Sequence, residues 1–437
     1  MTASVRALAL ELLEKCEKSG AYSTIVLDGA LRSSPLSPED RGLLTALFYG
    51  VLGRRLTLDY IIDTFSALPP ERIDARTRAI LRLGLYQLRY MDKIPPHAAV
   101  NESVNLCTRK NAGFVNALLR AYLRQNGEVA FPTADGAADV YLSVKYSICP
   151  ALCREFLSFY SLAQTEALFS AFETREKGLT LRVNTLRTDK ETLSARLRAL
   201  GAEVTACRDG LSGLYVEGVP ISRLPMDAGD FFVQDEASQL CVAALDARPG
   251  ETVIDACACP GSKSFGAAMD MQDRGRVLSF DLHENKLSLV RRGAERLGLT
   301  ILSTEARDGR SYDASFEGVA DRVLCDVPCS GFGVLAKKPE IRYKDPQESA
   351  SLPDIQLAIL ENNSRYVRPG GVLVYSTCTL LPRENGENVE RFLARHPEFA
   401  PEPFSVGRLC APDGRLTLTP HEHGTDGFFI AKMKRKG

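Results

Sequence analysis

The sequence predicts a multidomain chain: an all-α N-terminal bundle, a small α/β module, and a C-terminal α/β domain on a doubly wound, largely parallel sheet. Three observations predict it. At 437 residues, and roughly 150 per domain, the chain is too long for one core. Apolar residues recur at helical spacing through about residue 126, and from 229 onward short β-rich runs alternate with helix-length segments. The expected boundaries are 1–130, 141–228 and 229–437.

The bundle is read first. Val5, Leu8, Ala9, Leu12, Leu13 and Cys16 fall on one helical face. Ser37, Pro38, Glu39 and Asp40 supply an N-cap, a first-turn proline and first-turn acids ahead of Leu43, Leu44, Leu47, Phe48 and Val51. Stripes continue at Leu58, Ile61, Ile62 and Phe65, then at Ile80, Leu81, Leu85 and Leu88. Pro95-Pro96 interrupts before a last helix through Phe114, Val115, Leu118, Leu119 and Tyr122.

Residues 127–140, NGEVAFPTADGAAD, are small, acidic and poor in large apolar side chains, which suits a linker. The next segment mixes periods, with helices near 151–159 and 162–173 and a strand at 179–184. A capping box from Thr188 to Glu191 opens a further helix, closed by Gly201. In the third domain TVIDAC, RVLSFD, TILST, DRVLCD and VLVYST are five strand candidates, and a helix over 284–297 ends at Gly298.

Composition narrows the function. Hydrophobic residues at 45% and charged residues at 25% suit a globular protein, and no apolar run approaches the ~18 residues of a membrane span. Glu11, Glu14 and Glu17 near the start disagree with a secretory or organellar leader, so a cytoplasmic location is expected. Twelve cysteines without regular spacing do not form a disulfide framework. A net charge of −1 gives no global attraction to nucleic acid, so such contacts must use local patches.

The polar residues of the third domain cluster at strand ends, where open α/β sheets bind ligands. Asp255 ends the first strand and leads into Cys257-Ala258-Cys259-Pro260-Gly261-Ser262-Lys263, a strand–loop–helix turn that lets backbone approach a ligand. Asp281 ends the second strand, 20 residues after Gly261, where a nucleoside-binding sheet places an acid for ribose hydroxyls; a helix N-cap is the alternative. Asp308 follows the third strand and suits an adenine amino group, or a turn with Gly309. The fourth strand ends in Asp326-Val327-Pro328-Cys329-Ser330-Gly331, and the fifth in Tyr375-Ser376-Thr377-Cys378-Thr379. Two thiols beside an acid suit covalent catalysis on carbon 5 of cytosine, a carbon too weakly nucleophilic to take a methyl group until a thiolate adds at carbon 6.

DACACPGSK, DVPCSGFGV and YSTCTL together resemble the RNA 5-methylcytosine methyltransferases of the NOL1/NOP2/Sun family. VQDEASQL at 233–240 and DGFFIAKMKR at 426–435 are similar to the family's pattern too, and ILRLGLYQLRYMDKIPPHAAVNESV with FVNALLR resembles the NusB-like RNA-binding domain that some members carry. The resemblance covers nearly the whole chain. It implies a NusB-like bundle, a small RNA-binding module and a Rossmann-like methyltransferase domain using S-adenosyl-L-methionine. It further implies Cys378 as nucleophile, Cys329 assisting product release, and Asp326 between cofactor and base. The loop 257–263 with Asp281 and Asp308 would hold the cofactor, and Lys263 would orient the catalytic groups or the base. The implied partner is RNA, 16S ribosomal RNA not yet assembled into its subunit, met by a monomer without metal or membrane. Arg182, Asn184, Lys337, Lys338 and Arg342 are candidates for phosphate contacts. Transfer RNA as substrate, or an RNA-binding factor without activity, are the alternatives.

The chain departs from the family's pattern in three places. Cys259-Pro260-Gly261-Ser262-Lys263 stands where Ala-Pro-Gly-Gly-Lys is usual. Ser262 would cost about 1 kcal/mol at a positive φ and would be favourable as an N-cap. The run Ala336-Lys337-Lys338-Pro339-Glu340-Ile341-Arg342-Tyr343 replaces Arg-Arg-x-Pro-Asp-x-Lys-Trp. Cys259 is an extra thiol near Cys257, and Cys-x-Cys without a further Cys or His pair is not zinc spacing. Asp281→Ala is expected to weaken cofactor binding on the order of tenfold, the loss of one good hydrogen bond, by titration calorimetry. Unchanged affinity removes the ribose role.

Overall fold

The computed structural model describes residues 4–19, 23–174, 178–208 and 211–437, so residues 1–3 and 20–22 of the expected bundle, and 175–177 and 209–210 of the expected small module, lie outside the described residues. By contacts the chain forms two units, one of Met1–Glu173 with Leu335–Glu348, the other of Thr174–Val334 with Ser349–Gly437. Among the described residues no helix is long and apolar enough to cross a membrane.

The first unit is helical. Its elements are α1 (Val5–Ser19), α2 (Ser23–Ser33), α3 (Pro38–Gly53), α4 (Arg55–Phe65), α5 (Ala75–Tyr90), α6 (Pro96–Asn105), α7 (Arg109–Arg124), α8 (Ala138–Tyr146), α9 (Pro150–Leu157) and α10 (Leu162–Thr174). The Ser37 hydroxyl caps α3 by accepting from the Asp40 N–H. The Pro95-Pro96 pair does more than interrupt: Pro96 is the first residue of α6, where a missing N–H costs nothing. Leu44, Leu47, Phe48, Leu58, Ile61 and Leu81 are buried in one core. Helix α8 packs on α4, where the Thr57 hydroxyl donates to the Val144 carbonyl at 2.6 Å and the Leu56 N–H to Ser147 Oγ at 2.9 Å. These bonds group α8–α10 with the bundle, although residues 127–140 read as a linker.

The second unit opens with β1 (Leu179–Val183), α11 (Lys190–Ala199), β2 (Glu203–Ala206), β3 (Gly213–Glu217) and β4 (Phe231–Val233). The four strands form an antiparallel sheet in the order β2-β3-β1-β4. The N-cap of α11 is Asp189, one residue beyond the expected Thr188: its carboxylate accepts from the Thr192 N–H at 2.7 Å. A carboxylate one position later takes the donor that the threonine was expected to take.

After α12 (Glu236–Leu245) come β5 (Thr252–Asp255), α13 (Ser262–Asp270), β6 (Arg276–Asp281), α14 (Glu284–Leu297), β7 (Leu302–Ala306), β8 (Ala320–Asp326), α15 (Leu352–Ser364), β9 (Val367–Thr377) and α16 (Gly386–Arg395). Short strands β10 (Phe399–Pro401), β11 (Phe404–Val406), β12 (Leu409–Ala411) and β13 (Arg415–Leu418), helix α17 (Pro420–His423) and strand β14 (Phe428–Arg435) close the chain. The large sheet runs β10-β14-β9-β8-β5-β6-β7, with β13 pairing on β14. Strands β5–β9 are mutually parallel and β14 is antiparallel to β9. Apolar residues of α12–α14 cover one face, and those of α15 and α16 the other. Strand order reverses between β5 and β8, which opens a crevice at their carboxyl ends.

One charged cluster in the first unit tests this packing. Arg82 is buried, gripping Asp59 through two nitrogens at 2.8 Å each and also bonding Glu17. Arg82→Ala is expected to cost about 3 kcal/mol in denaturant unfolding, since it removes one charge-assisted bond from Glu17 and two from Asp59, leaving Asp59 the longer 3.3 Å bond from Arg78. The double variant Asp59→Asn/Arg82→Met should recover most of that loss.

Candidate active site

Strand β8 delivers Asp326 and strand β9 delivers Ser376 directly beside it in parallel register. The Ser376 hydroxyl donates to Asp326 Oδ1 at 2.7 Å, and the Lys263 ammonium donates to Oδ2 at 2.6 Å. Lys263, buried in the first turn of α13, also lies over the Phe428 ring at 5.3 Å. Burial works to strip its proton, but Asp326 beside it, with Cys241 and Asp255, outweighs this and holds the ammonium above its ordinary value. Asp326 is thereby fixed in position by a cation and a hydroxyl.

Three residues past β8 and one past β9, the loops bring Cys329 and Cys378 together, Sγ to Sγ 3.2 Å. The hydrogen bond to Cys378, then burial, pushes the Cys329 thiol well above its ordinary value. The two sulfurs share one hydrogen bond, in which either can donate. The Cys378 turn is held from behind: its carbonyl accepts from the Gly333 N–H at 3.0 Å, and the Gly333 carbonyl from the Gly427 N–H at 2.8 Å. A Cβ on Gly333 would lie 2.0 Å from the Gly427 carbonyl oxygen, so only glycine fits there. The DGFF run near the C-terminus thus buttresses this turn and supplies the ring beneath Lys263.

The loop after β5 closes on itself, with the Gly261 N–H donating to the Ala258 carbonyl at 2.7 Å and the Ala258 N–H to the Phe280 carbonyl at 2.8 Å. The Cys259–Pro260 bond is cis. Gly261, not Ser262, takes the positive φ of 110° and is the N-cap of α13. Ser262 is the first helical residue, so neither the expected strain nor the expected capping applies to it. Asp281 is not a helix cap: its Oδ2 accepts from the Cys259 N–H at 3.3 Å and its Oδ1 from the His283 N–H at 3.1 Å. Each of its oxygens retains lone pairs for hydroxyls. Asp255, fully buried, accepts from the Ser264 hydroxyl at 2.6 Å, and its other oxygen has no partner. A left-handed glycine turn ringed by acceptors fits a cofactor that carries hydroxyl and ammonium groups.

Other residues are spent elsewhere. Asp308 is held by Arg310, whose guanidinium donates to it at 2.9 and 2.6 Å. Burial raises both Cys257 and Cys259, the latter to about 12, so they are poor ligands or nucleophiles. Among the described residues no group of three or more His, Cys, Asp or Glu is arranged to hold a metal. Three proposed phosphate contacts are corrected. Buried Arg182 pairs with Asp270 at 2.6 Å, and buried Asn184 donates to the Gly229 and Leu297 carbonyls. Arg342, in the first unit, is buried and donates to the Leu335 and Tyr146 carbonyls. Lys337 and Lys338 are exposed.

Sequence reasoning missed Ser376 as a partner of Asp326, and it missed Glu384 and Gln356. Glu384 lies in Pro382-Arg383-Glu384-Asn385, which reads as a solvated charged turn yet is fully buried. Its position six residues after Cys378 was the one available signal.

Residues 242–434 match the family described as 16S rRNA methyltransferase RsmB/F, and residues 3–124 match the NusB family. The chain is 39% identical to a probable ribosomal RNA small subunit methyltransferase B of Bacillus subtilis and 37% identical to one of Synechocystis, each alignment covering 99% of both chains. The solved structure of PH0851 superposes with a TM-score of 0.80 at 26% identity, covering all of both chains. NSun6 from Pyrococcus horikoshii, solved with SFG, shares the fold over 65% of this chain and 97% of its own, with a TM-score of 0.59 at 20% identity.

The site makes one prediction about pH. Burial pushes Asp255 from 3.8 up to about 6. The folded chain holds that proton more tightly than the unfolded chain, so the stability it contributes is full below pH 3.8 and is lost as pH rises through about 6. In guanidinium unfolding, wild type is expected to lose about 3 kcal/mol more than Asp255→Asn between acid and neutral pH. Parallel pH profiles would remove this account.

Proposed function

The chain belongs to the RsmB/F family of 16S rRNA methyltransferases, and on that premise we propose that it methylates carbon 5 of a cytosine in 16S ribosomal RNA through a covalent adduct on Cys378. The observation that carries this reading is the 3.2 Å approach of two thiols beside an Asp326 anchored by Lys263 and Ser376. A methyl transfer to an exocyclic amino nitrogen has no use for such a pair.

The Cys378 thiolate adds to carbon 6 of the cytosine, forming a carbon–sulfur bond and pushing electron density onto carbon 5. Asp326, held in place by Lys263 and Ser376, carries the proton that bridges to ring nitrogen 3 as charge builds there, and takes it back on release. S-adenosyl-L-methionine supplies the sulfonium methyl group. The loop from Cys257 to Lys263, with Asp281 and Asp326, would hold it, and Asp308 would join them by releasing its Arg310 partner. Once carbon 5 is methylated, its remaining proton passes to a water molecule, the carbon 5–hydrogen pair forms the carbon 5–carbon 6 double bond, and the carbon 6–sulfur bond breaks with its pair returning to the Cys378 sulfur. Cys329 assists this release as the partner against the departing sulfur.

In this reading residues 1–130 form an RNA-holding bundle, 141–228 a second RNA-contact module, and 229–437 the catalytic domain. The protein acts in the cytoplasm, as a monomer, on 16S RNA not yet assembled into its subunit. Cys378→Ala is expected to abolish methylation, by at least on the order of a thousandfold. Cys329→Ala should accumulate a protein–RNA adduct on denaturing gels with labelled RNA. An active Cys378→Ala enzyme, or an adduct that survives that change, sinks the assignment. Mapping 5-methylcytosine in RNA from cells with and without the gene separates ribosomal from transfer RNA.

A further inference from the structure

Glu384 is fully buried, yet its hydrogen-bond donors are neutral amides. One carboxylate oxygen, Oε2, accepts from the Ser330 N–H at 3.0 Å and from Gln356 Nε2 at 2.8 Å; Oε1 has no partner. Burying a carboxylate with half its acceptors unused is costly, and an apolar side chain of similar volume would be better for stability alone. Its donors point to what the charge does. Ser330 adjoins Cys329, and Gln356 Nε2 donates also to the Pro328 carbonyl at 3.0 Å, so both peptide neighbours of Cys329 are tied to one carboxylate.

The same short segment grips the Cys378 side. Asn385 accepts from the Thr377 hydroxyl at 2.5 Å and donates to the Thr379 carbonyl at 3.0 Å, and Thr379 Oγ1 lies 2.8 Å from Ser330 Oγ. Tyr375 donates to the Glu384 carbonyl at 2.5 Å. Glu384 and Asn385 therefore bracket the two cysteines, one residue per loop.

We propose that Glu384 is a positioning residue for Cys329: its carboxylate, through charge-assisted bonds to Ser330 and Gln356, pins the Pro328–Ser330 loop so that Cys329 stays against Cys378 during product release. The proposal rests on the release role given to Cys329 above. Charge-assisted bonds are about twice as strong as neutral ones, which is the reason to keep a carboxylate where a glutamine would fit. The negative charge also adds, after the Cys378 contact and burial, to the forces that keep the Cys329 thiol protonated.

The test follows adduct formation and adduct decay separately, with full-length enzyme, labelled RNA and methyl donor on denaturing gels. Glu384→Ala is expected to form the Cys378 adduct at close to the wild-type rate but to resolve it on the order of tenfold more slowly. Glu384→Gln, which keeps an acceptor for Ser330, should fall between that variant and wild type. A merely structural role would slow formation and decay together, and that outcome, or wild-type decay in Glu384→Ala, overturns the proposal. If Glu384→Ala does not fold, Gln356→Met, which removes the donor shared by Pro328 and Glu384, is expected to trap adduct in the same way, and wild-type decay in it is equally fatal. Cys329→Ala is run in parallel. If it traps adduct and the Glu384 and Gln356 variants do not, this inference alone fails; if Cys329→Ala traps none, the release reading fails and takes the inference with it.

Discussion

Parallel pairing of β8 with β9 is the constraint on which the site depends. Its register sets Cys325 beside Tyr375 and Asp326 beside Ser376, so the two loops leave the sheet at the same height. Because side chains alternate along a strand, a slip of one residue would turn Asp326 away from Ser376 and exchange buried Cys325 and Tyr375 for polar neighbours. The apolar strand DRVLC and the run VLVY make such a slip expensive, since Val323, Leu324, Leu373 and Val374 are all buried. Hydrophobic packing several residues upstream thus fixes the distance between the two sulfurs.

Electrostatics refines what the register sets. Lys263, a buried cation, bonds Asp326, and Asp255 nearby is fully buried with one oxygen unpartnered. Burying acids at the carboxyl ends of parallel strands is unfavourable for folding unless each carboxylate finds a donor. In the proposed reaction such acids would meet a cationic methyl donor. Burial and the Cys378 contact push the Cys329 thiol up, and the two sulfurs stay within 3.2 Å of each other.

Most of the architecture was legible because it follows periodicity. The stripe through Leu44, Leu47 and Phe48 and the parallel strands β5, β6, β8 and β9 are buried as patterned, whereas β7 at the sheet's edge is mostly exposed. Strand-end acids and cysteines were legible for a different reason: the position of polar residues after an apolar run is itself a local signal. What stayed hidden was pairwise and long-range. Nothing near Asp326 announces that Lys263, 63 positions earlier, will bond it, or that Gly427 will meet Gly333 backbone to backbone. Arginine was the most misleading residue type. Arg182 and Arg342 sit in sequence contexts that suit phosphate, but each is consumed by internal carbonyls or an acid, because a long side chain can reach inward as readily as outward.

The run from Ala336 to Tyr343 carries the same lesson to the scale of the chain. Where it departs from the family's pattern, its side chains serve the helical unit. Tyr343 donates to the Leu52 carbonyl, lies 3.0 Å from Ser147 Oγ, and stacks under the Arg55 guanidinium at 3.8 Å. The Arg342 carbonyl accepts from the Cys149 N–H at 2.8 Å, and Glu340 accepts from the Ser23 hydroxyl at 2.7 Å. A fragment ending at Glu173 would leave the Leu52 carbonyl, the Cys149 N–H and Ser147 Oγ without these partners, and buried polar groups without partners cost about 1–3 kcal/mol each. The helical unit is therefore not a module that the catalytic sequence merely follows: fourteen of its residues, Leu335–Glu348, are encoded between β8 and α15. Folding of the bundle is completed only when the chain has passed through the first four strands, β5–β8, of the eight-stranded methyltransferase sheet, which couples the integrity of the two units through covalent order alone.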